Sequence, residues 1–554
     1  MAAPGSGSVT TRLDTRPRQI CDSTESPLIS SSNTQHRHVR NISPWDIPEL
    51  RDYPAQFLDK SQLRTAAAVC KGWNATFTRF LYSNLSWHYR WRQGHPLVEF
   101  PSYPSTQLIQ KHARNVRGIH IAQYDPFLGQ EFPWDTITEL RELAITHPIA
   151  DINILDRMAY LVRRNPGLRK VEYHSRDTDD SLLLVEAFST CPNLRVLKTY
   201  LQYPDLETTI HILNMCNQLS ELSICASEVI TPDSLSSWPQ FPSLTSLSFD
   251  NNLNTAFILE VIQRCPRLKK LRWSTYDDLI PIPDLTLVIS TKCRELTDLN
   301  LMPHGEPDGD SITDEGLANL IDSCTSITGL GVRAAESPVL AMRSLRQHFC
   351  RLTRLCVISC PSFSSPIVHE LMVSCPMLTQ LTARYLDAHD ILGAVERVSN
   401  TNIYDLNPKD WVCLDLQYFD VDIRGPPLMH GEWQRLIMHQ LSRLKKLKVL
   451  SIKCIDNRNG DENLSLGRLD LRLVHGSDVL ASLKRLEAIN FYGLLQQLDV
   501  EDVEWMLRAW SNLKHFVGKP NTSAAVCHQL NQVLSKHRVE TCYTTYSDYA
   551  EFYY

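Results

Sequence analysis

The sequence predicts an α/β protein made of repeated strand–helix units, and two observations support this. From about residue 112 onward one phrase recurs: an apolar residue, two spacers, an apolar residue, one spacer and another apolar residue. Apolar stripes with helical spacing separate the successive phrases. Between Leu140 and Leu378 the phrase returns every 24 to 31 residues, a period typical of leucine-rich repeats. We therefore expect a leucine-rich-repeat solenoid.

Each phrase predicts one short strand, because its last residues alternate between apolar and polar. The regular copies begin at Leu140, Leu168, Leu194, Leu219, Leu244, Leu268, Leu296, Ile327, Leu352 and Leu378. Looser copies begin at Leu416, Leu447, Leu486 and Leu513, with a possible first copy at Val116. No unit can bury its own apolar face, so about 14–15 units over residues 112–540 are expected to stack into a horseshoe with a parallel inner sheet.

The helices between the strands explain most of the sixteen cysteines. Six of them end the apolar stripe of a repeat helix and are predicted to pack in the core: Cys191, Cys216, Cys265, Cys293, Cys324 and Cys375. They lie in separate repeats, which excludes a shared metal site, and no C-x-x-C occurs. For Cys350, Cys356 and Cys360 a local redox or metal role remains an alternative to packing.

The spacers of each phrase are predicted to line the concave surface of the sheet. Charges of both signs occur among them, with some excess of bases. A solvated sheet face and a surface that binds a substrate protein are both compatible with this pattern. The candidate substrate-binding residues are Lys170, Lys198, Lys270, Arg272, Arg333, Arg354 and Arg384.

Composition and motifs exclude several classes of function. The 56 Lys and Arg against 62 Asp and Glu give a net charge of -6, which argues against a protein that coats nucleic acid or an anionic membrane. No apolar run is long enough to span a bilayer. Phosphate-binding and nucleophile-elbow motifs are missing, and a zincin-like H-E-x-x-H fails at Val373. We expect no catalytic residues, metal ligands or cofactor.

Both ends of the sequence differ from the repeats. Residues 1–40 hold 12 Ser or Thr and few large apolar residues, which predicts a disordered tail; a mitochondrial transit peptide is the weaker alternative. Residues 541–554 form an aromatic C-terminal tail with six aromatic side chains. That tail either extends into solvent or folds back as a cap on the repeats.

Residues 41–87 have a helical pattern of another kind. Ile47-Pro48-Glu49 opens a short helix, and Asp59 or Ser61 can cap the next one. The second helix carries Leu63, Ala66, Val69, Trp73 and Phe77 on one stripe. A segment of about 45 residues has too small a core to be stable alone, so we expect a partner or the repeats to cover it.

This segment resembles the F-box. The resemblance rests on Ile47-Pro48-Glu49, Phe57-Leu58-Asp59, Val69-Cys70-Lys71-Gly72-Trp73 and Leu81-Tyr82. The repeats independently resemble the cysteine-containing repeats of F-box/leucine-rich-repeat proteins, through Ser311–Leu317 followed by Leu320 and Cys324. A generic helical cap over the first repeat is the alternative for residues 41–87, and residues 88–111 are expected to be a linker.

The resemblance implies a non-catalytic substrate-recognition subunit of an SCF-type cullin-RING ubiquitin ligase. Its partners would be the small adaptor subunit, the cullin and an unknown protein substrate, in the cytoplasm or the nucleus. The residues implied to contact the adaptor are Ile47, Pro48, Leu50, Leu63, Val69 and Trp73. The alternative is a leucine-rich-repeat interaction scaffold that acts outside a ubiquitin ligase.

Overall fold

The structure is a computed structural model of the 554-residue chain. The residues that it describes are 52–53, 55–58, 60–87, 106–121, 132–146, 152–175, 179–201, 205–226, 238–250, 253–275, 280–303, 312–333, 338–357, 363–393, 395–396, 404–405, 408–425, 431–452, 469–494 and 496–542. The chain divides into two compact units, residues 1–77 and 78–554. Residues 1–40, residues 543–554 of the predicted aromatic tail, Ile47, Pro48 and Leu50 lie outside the described residues.

The first unit contains helix α1, Lys60–Ala67, and most of helix α2, Lys71–Leu81. Cys70 caps α2, because its Sγ accepts the backbone N–H of Trp73 at 3.5 Å. Leu63, Ala66 and Phe77 are buried, as the helical stripe predicts, but Val69 is exposed. The single helix predicted for this stripe is interrupted between Ala67 and Lys71, which places Val69 outside both helices. The short segment between Ala67 and Lys71 is bridged by Asn74, whose Nδ2 donates to the Ala67 carbonyl at 3.1 Å.

The second unit is dominated by one sheet of seventeen strands within the described ranges. Each strand pairs in parallel with the next along the chain, apart from the jump from β12 to β15. The strands are β1 Asn84–Trp87, β2 Gly118–Ile121, β3 Glu142–Ile145, β4 Lys170–Ser175, β5 Val196–Leu201, β6 Glu221–Ala226, β7 Ser246–Asp250, β8 Lys270–Thr275, β9 Asp298–Pro303, β10 Gly329–Val332, β11 Arg354–Val357, β12 Gln380–Asp387, β15 Tyr418–Arg424, β16 Val449–Ser451, β17 Ala488–Asn490, β18 His515–Val517 and β19 Glu540–Cys542. A separate antiparallel pair joins β13, Val395–Glu396, to β14, Tyr404–Asp405.

Helices alternate with these strands along most of the unit. They are α3 Thr106–His112, α4 Ile152–Arg163, α5 Asp179–Ser189, α6 Leu206–Met215, α7 Thr255–Gln263, α8 Ile282–Lys292, α9 Asp314–Ser323, α10 Val339–Arg346, α11 Ser365–Ser374, α12 Ala388–Leu392, α13 Gly431–Ser442, α14 Val500–Ala509 and α15 Ala524–Lys536. A parallel sheet with regularly alternating helices is the α/β leucine-rich-repeat solenoid that the sequence predicts.

The strand register confirms the predicted alternation. In β4, Val171 and Tyr173 are buried, whereas Lys170, Glu172 and His174 keep solvent contact. Equivalent positions of neighbouring strands are register partners, so the apolar residues form continuous rows in the core. The intervening residues form a second set of rows, which we call the polar face.

The six helix-ending cysteines are all buried, which confirms their predicted packing role. Cys216, Cys293, Cys324 and Cys375 occupy the C-cap positions of their helices. In five of the six turns, all but that of Cys216, the cysteine carbonyl accepts the N–H of the residue that begins the next phrase, as from Leu268 to Cys265 at 3.1 Å. The thiol therefore fills the space under a tight turn that takes the chain from helix to strand.

The motif 311–317 has a structural explanation. Thr313 caps its own helix, because its hydroxyl accepts the N–H of Gly316 at 3.1 Å. Asp314 caps the following helix, since its carboxylate accepts the N–H groups of Leu340 and Ala341 at 2.7 and 2.8 Å. One short motif thus fixes two successive helices.

The structure differs from the sequence prediction at both ends of the sheet. β1 lies inside the segment that resembles an F-box, yet it pairs with β2 and belongs to the second unit. At the other end, β19 pairs with β18 and reaches into the predicted aromatic tail. β1 carries an apolar phrase of its own in Tyr82, Leu85 and Trp87, within the F-box-like segment, whereas β19 does not carry the full phrase.

A buried asparagine provides a test of how neighbouring repeats are joined. Asn165 is 1 % exposed; its Oδ1 accepts the Leu140 N–H at 2.7 Å and its Nδ2 donates to the carbonyls of Ile137 and Leu161. Asn165→Ala leaves these groups unpaired, and we expect it to lower the free energy of unfolding by about 3 kcal/mol. Urea denaturation of the full chain measures the loss.

Asn193→Ala is the matched control for this test. Asn193 is exposed and makes one long hydrogen bond, 3.3 Å to the Pro166 carbonyl, so we expect a loss below about 0.5 kcal/mol. Equal losses for the two variants would contradict the role assigned to Asn165.

Candidate functional surfaces

Three large apolar side chains are exposed on the first unit. Tyr53, Phe57 and Val69 are 66 %, 71 % and 62 % exposed. Tyr53 and Phe57 pack edge to face with their ring centroids 5.3 Å apart. Large apolar side chains left this exposed on a short helical segment are typical of a protein-binding surface.

The structure separates the residues that the F-box resemblance implies for adaptor contact. Val69 is exposed, Trp73 is half-buried with its ring 5.3 Å from that of Phe77, and Leu63 is only 5 % exposed. Leu63 therefore supports the helix from within. Ile47, Pro48 and Leu50 lie outside the described residues, so their contact with the adaptor stays a prediction. Sequence reasoning missed Tyr53 and Phe57 as surface residues.

Cys70 also differs from its expected role. Unlike the six repeat cysteines, which are predicted to pack in the core, its side chain is exposed and caps α2. Cysteine is not among the residues preferred at an N-cap, so the sequence carries no signal for this role.

Six of the seven candidate basic residues lie on or at the end of polar-face rows, and Arg384 lies at a bulge in β12. Three of them already face a carboxylate: Lys198 lies 3.2 Å from Glu221, Arg272 lies 3.7 Å from Asp250, and Arg354 pairs with Asp298. Part of the predicted excess of positive charge is therefore balanced within the face. Asp250, which follows the phrase in β7, was not recognised from the sequence.

The remaining four bases are less uniform in their surroundings. Lys170 and Lys270 are exposed at the start of their strands. Arg333 and Arg384 are half-buried, Arg333 directly after β10 and Arg384 at a bulge in β12. The bulge interrupts the register between β12 and β15, so Arg384 does not continue a regular row.

A cluster of aromatic and acidic side chains lies on the polar face of β4 and β5. The rings of His174 and Tyr200 lie 4.0 Å apart, and His174 Nε2 lies 3.7 Å from Glu172. A hydrogen bond from His174 holds the pKa of Glu172 below its usual value. Burial, followed by the charges of Asp250 and Glu172, raises the pKa of Tyr200 to about 12. The carboxylate is therefore ionised and the phenol neutral near pH 7.

The buried thiols are poor nucleophiles, because their pKa values are raised. Burial raises the pKa of Cys191 to about 11 and those of Cys293, Cys324 and Cys375 to about 12. A thiolate, the reactive form, is thus disfavoured at each site. Within the described ranges no group of three or more His, Cys, Asp or Glu side chains is arranged to hold a metal ion.

None of the helices in the described part of the chain is long and apolar enough to cross a membrane.

Comparisons with known proteins add little to this picture. The sequence matches no protein-family model and no curated protein. Among solved structures, the crystal structure of the Rad7 and Elc1 complex in yeast matches 68 % of this chain and 86 % of that chain, with 13 % identity and a TM-score of 0.37. A likeness of this size carries no argument about fold or function.

The difference between buried and exposed thiols can be tested by alkylation. With a maleimide near pH 8, Cys70 and Cys350 should react first in the folded protein, because both are exposed. Cys191 and Cys293 should react only after the protein unfolds, since burial keeps them protonated and out of reach. Peptide mass spectrometry reads each site separately. Equal labelling of Cys293 and Cys350 in the folded protein would show that Cys293 is not buried in the core.

Proposed function

We propose that this protein is a substrate-recognition subunit of an SCF-type cullin-RING ubiquitin ligase. The F-box-like segment would bind the small adaptor, which links it to the cullin, and the repeats would hold a substrate protein. The observation that carries the proposal is the exposed apolar set Tyr53, Phe57 and Val69, on the same segment that resembles an F-box. A docking partner would remove these side chains from water.

The mechanism in this proposal is positioning rather than chemistry. A bound substrate would be held with a lysine close to a conjugating enzyme carried elsewhere in the complex, and proximity would supply the gain in rate. No side chain of this chain needs to act as a nucleophile or an acid. The seventeen-stranded sheet offers a long row of polar side chains on which a substrate could be recognised.

The proposal predicts that a charge at Val69 weakens adaptor binding. Val69→Asp should reduce the affinity for the adaptor by at least about tenfold, because an apolar contact is lost and a carboxylate is desolvated. Calorimetric titration of the full chain with purified adaptor measures the affinity, and co-purification with the cullin tests the assembly.

Val339→Asp is the matched control, because Val339 is 69 % exposed and lies on α10 of the repeat unit. Both variants should keep the melting temperature of the parent protein. If the unmodified chain binds no adaptor while an established F-box protein does so in the same assay, the ligase function is wrong and the interaction-scaffold alternative is favoured.

Val69→Asp also allows the substrates to be identified. The expected substrates meet two criteria. They bind both the parent protein and the variant, and their ubiquitination falls when the variant replaces the parent. Quantitative proteomics of the two cell populations reads both quantities. A set of bound proteins whose ubiquitination does not depend on Val69 would indicate a scaffold.

A further inference from the structure

The residue directly before each strand occupies an equivalent position in successive repeats, which we call the edge position. Its backbone N–H donates to the carbonyl of the edge residue one strand earlier, as from Arg169 to Arg141 at 2.7 Å. These bonds extend the parallel ladder at the edge of the sheet where the strands begin. From β2 to β12 the edge residues are Arg117, Arg141, Arg169, Arg195, Ser220, Thr245, Lys269, Thr297, Thr328, Thr353 and Thr379.

Serine and threonine suit the edge position. Where they occur, the side-chain hydroxyl donates to the same carbonyl as the backbone N–H, at 2.9–3.2 Å, which adds a second bond to the ladder. The residues that do so are Ser220, Thr245, Thr297, Thr328, Thr353 and Thr379. The fold therefore does not need a basic residue at this position.

Four successive repeats nevertheless carry arginine at the edge position. They are Arg117, Arg141, Arg169 and Arg195, which we call the arginine row. Neighbouring strands lie about 4.8 Å apart, so the row places four like charges within about 14 Å. Like charges opposite each other on neighbouring strands are destabilising. The row therefore calls for an explanation other than stability of the sheet.

The fold explains the two end members of the row. Arg117 Nη1 donates to the carbonyls of Arg114 and Glu139 at 2.9 and 3.3 Å. Arg195 Nη1 donates to the carbonyl of Gln218 at 3.2 Å. Each of these side chains thus ties its own helix-to-strand turn to the next one.

The two central members have no such role. Arg141 and Arg169 are exposed, and neither guanidinium makes a hydrogen bond or an ion pair within the described part of the chain. The nearby carboxylate of Glu139 lies 3.6 Å from Arg117 instead. Two neighbouring guanidinium groups are therefore available to a partner.

Further bases lie around Arg169. Arg163 and Arg164 stand at the end of α4, whose turn leads into Arg169, and Lys170 directly follows it; all three are exposed. The exposed carboxylate of Glu142 lies among them, because Glu142 is the register partner of Lys170. The sheet edge at β3 and β4 is therefore positive, although the whole chain carries a net charge of -6.

The charge and length of the row define the ligand. A guanidinium binds a carboxylate through two parallel hydrogen bonds, so a row of them favours several carboxylates in succession. The row is bounded by Ser83 before β1 and by Ser220 before β6. Its length of about 14 Å corresponds to about five extended residues at about 3.3 Å each. A nucleic acid would continue past the row, over uncharged edge residues and a protein of negative net charge, which disfavours it.

We propose that the arginine row binds a short run of consecutive Asp or Glu residues in a partner protein. Arg141 and Arg169 each pair with a carboxylate, while Arg117 and Arg195 hold the turns at either end of the row. This inference rests on the proposed function only in taking that partner to be a substrate. Recognition then occurs at the edge of the sheet rather than on its polar face.

Labelled peptides test the ligand class. The probe carries five consecutive Glu residues between Gly-Ser flanks and a fluorescein, and fluorescence anisotropy with the full chain at low ionic strength measures its affinity. A peptide of equal composition, with its Glu residues spread apart by Gly and Ser, should bind at least about threefold more weakly, because fewer carboxylates reach the row. Equal affinity for both peptides, or tighter binding of a single-stranded oligonucleotide of equal charge, overturns the proposal.

A double variant separates binding from stability. Arg141→Thr combined with Arg169→Thr should weaken binding of the five-Glu peptide by at least about tenfold, because both available guanidinium groups are lost. The melting temperature should stay the same or rise, since the repulsion is removed and each new hydroxyl can join the ladder. Unchanged peptide binding, or a melting temperature lower by more than about 3 °C, overturns the proposal.

Arg267→Thr combined with Arg294→Thr is the matched control. Both arginines are exposed in the helix-to-strand turns before β8 and β9, at the same edge of the sheet. This variant removes the same charge outside the row, so peptide binding should weaken by less than about twofold. A loss equal to that of the first double variant would indicate unspecific attraction and overturn the proposal.

Adaptor binding is measured on the same samples to keep the two proposals apart. Peptide binding without adaptor binding overturns the ligase function alone. Adaptor binding without peptide binding overturns the role of the arginine row alone.

Discussion

The second unit depends on one constraint: a single strand–helix repeat cannot bury its own apolar residues. Its strand is covered on each edge by a neighbouring strand, and the apolar rows run without interruption from Leu85 to Val539 in one core cluster. Tyr173, Phe249 and Trp273 are all less than 2 % exposed in successive parts of this core. Burial of side chains of this size stabilises the protein by about 1.5–3 kcal/mol each, and every repeat shares that gain with its neighbours.

The same constraint governs the polar groups that enter the core. Where repeats are regular, backbone hydrogen bonds between parallel strands satisfy the main chain. In the longer unit after β16, two glutamine side chains make hydrogen bonds to the backbone. Gln434 bonds to both the N–H and the carbonyl of Asp470. Gln496 accepts the N–H of Leu471 and donates to the carbonyl of Leu469. Both side chains are less than 5 % exposed. They act as Asn165 does earlier in the chain, replacing absent strand partners with amide side chains.

On the polar face, the short distance between strands decides which charges remain available. Neighbouring strands lie about 4.8 Å apart, so Lys198 reaches Glu221 on the next strand. Arg354 reaches one strand further, to Asp298, because Gly329 has no side chain that would block this pair. Each such pair removes a base from those that could attract an acidic partner. Surface pairs of this kind add little stability, so their main consequence is to determine where unpaired groups remain.

The sequence by itself determined the repeat, the alternation of buried and polar residues in each strand and the burial of the helix-ending cysteines. These features depend on periods of 2 and 3.6 residues, which are local properties of the chain. It also indicated the F-box-like segment, although the roles of Ile47, Pro48 and Leu50 stay predictions.

Only the tertiary structure decided which charged side chains pair, because Asp298 and Arg354 are 56 residues apart and meet across an intervening strand. It likewise revealed that β1 and β19 extend the sheet at its two ends, and it revealed the exposure of Tyr53, Phe57 and Cys70. The physical reason is the same in each case. Pairing and exposure depend on which side chains lie within a few ångströms of each other in the folded protein. The spacing of residues along the chain does not determine those distances.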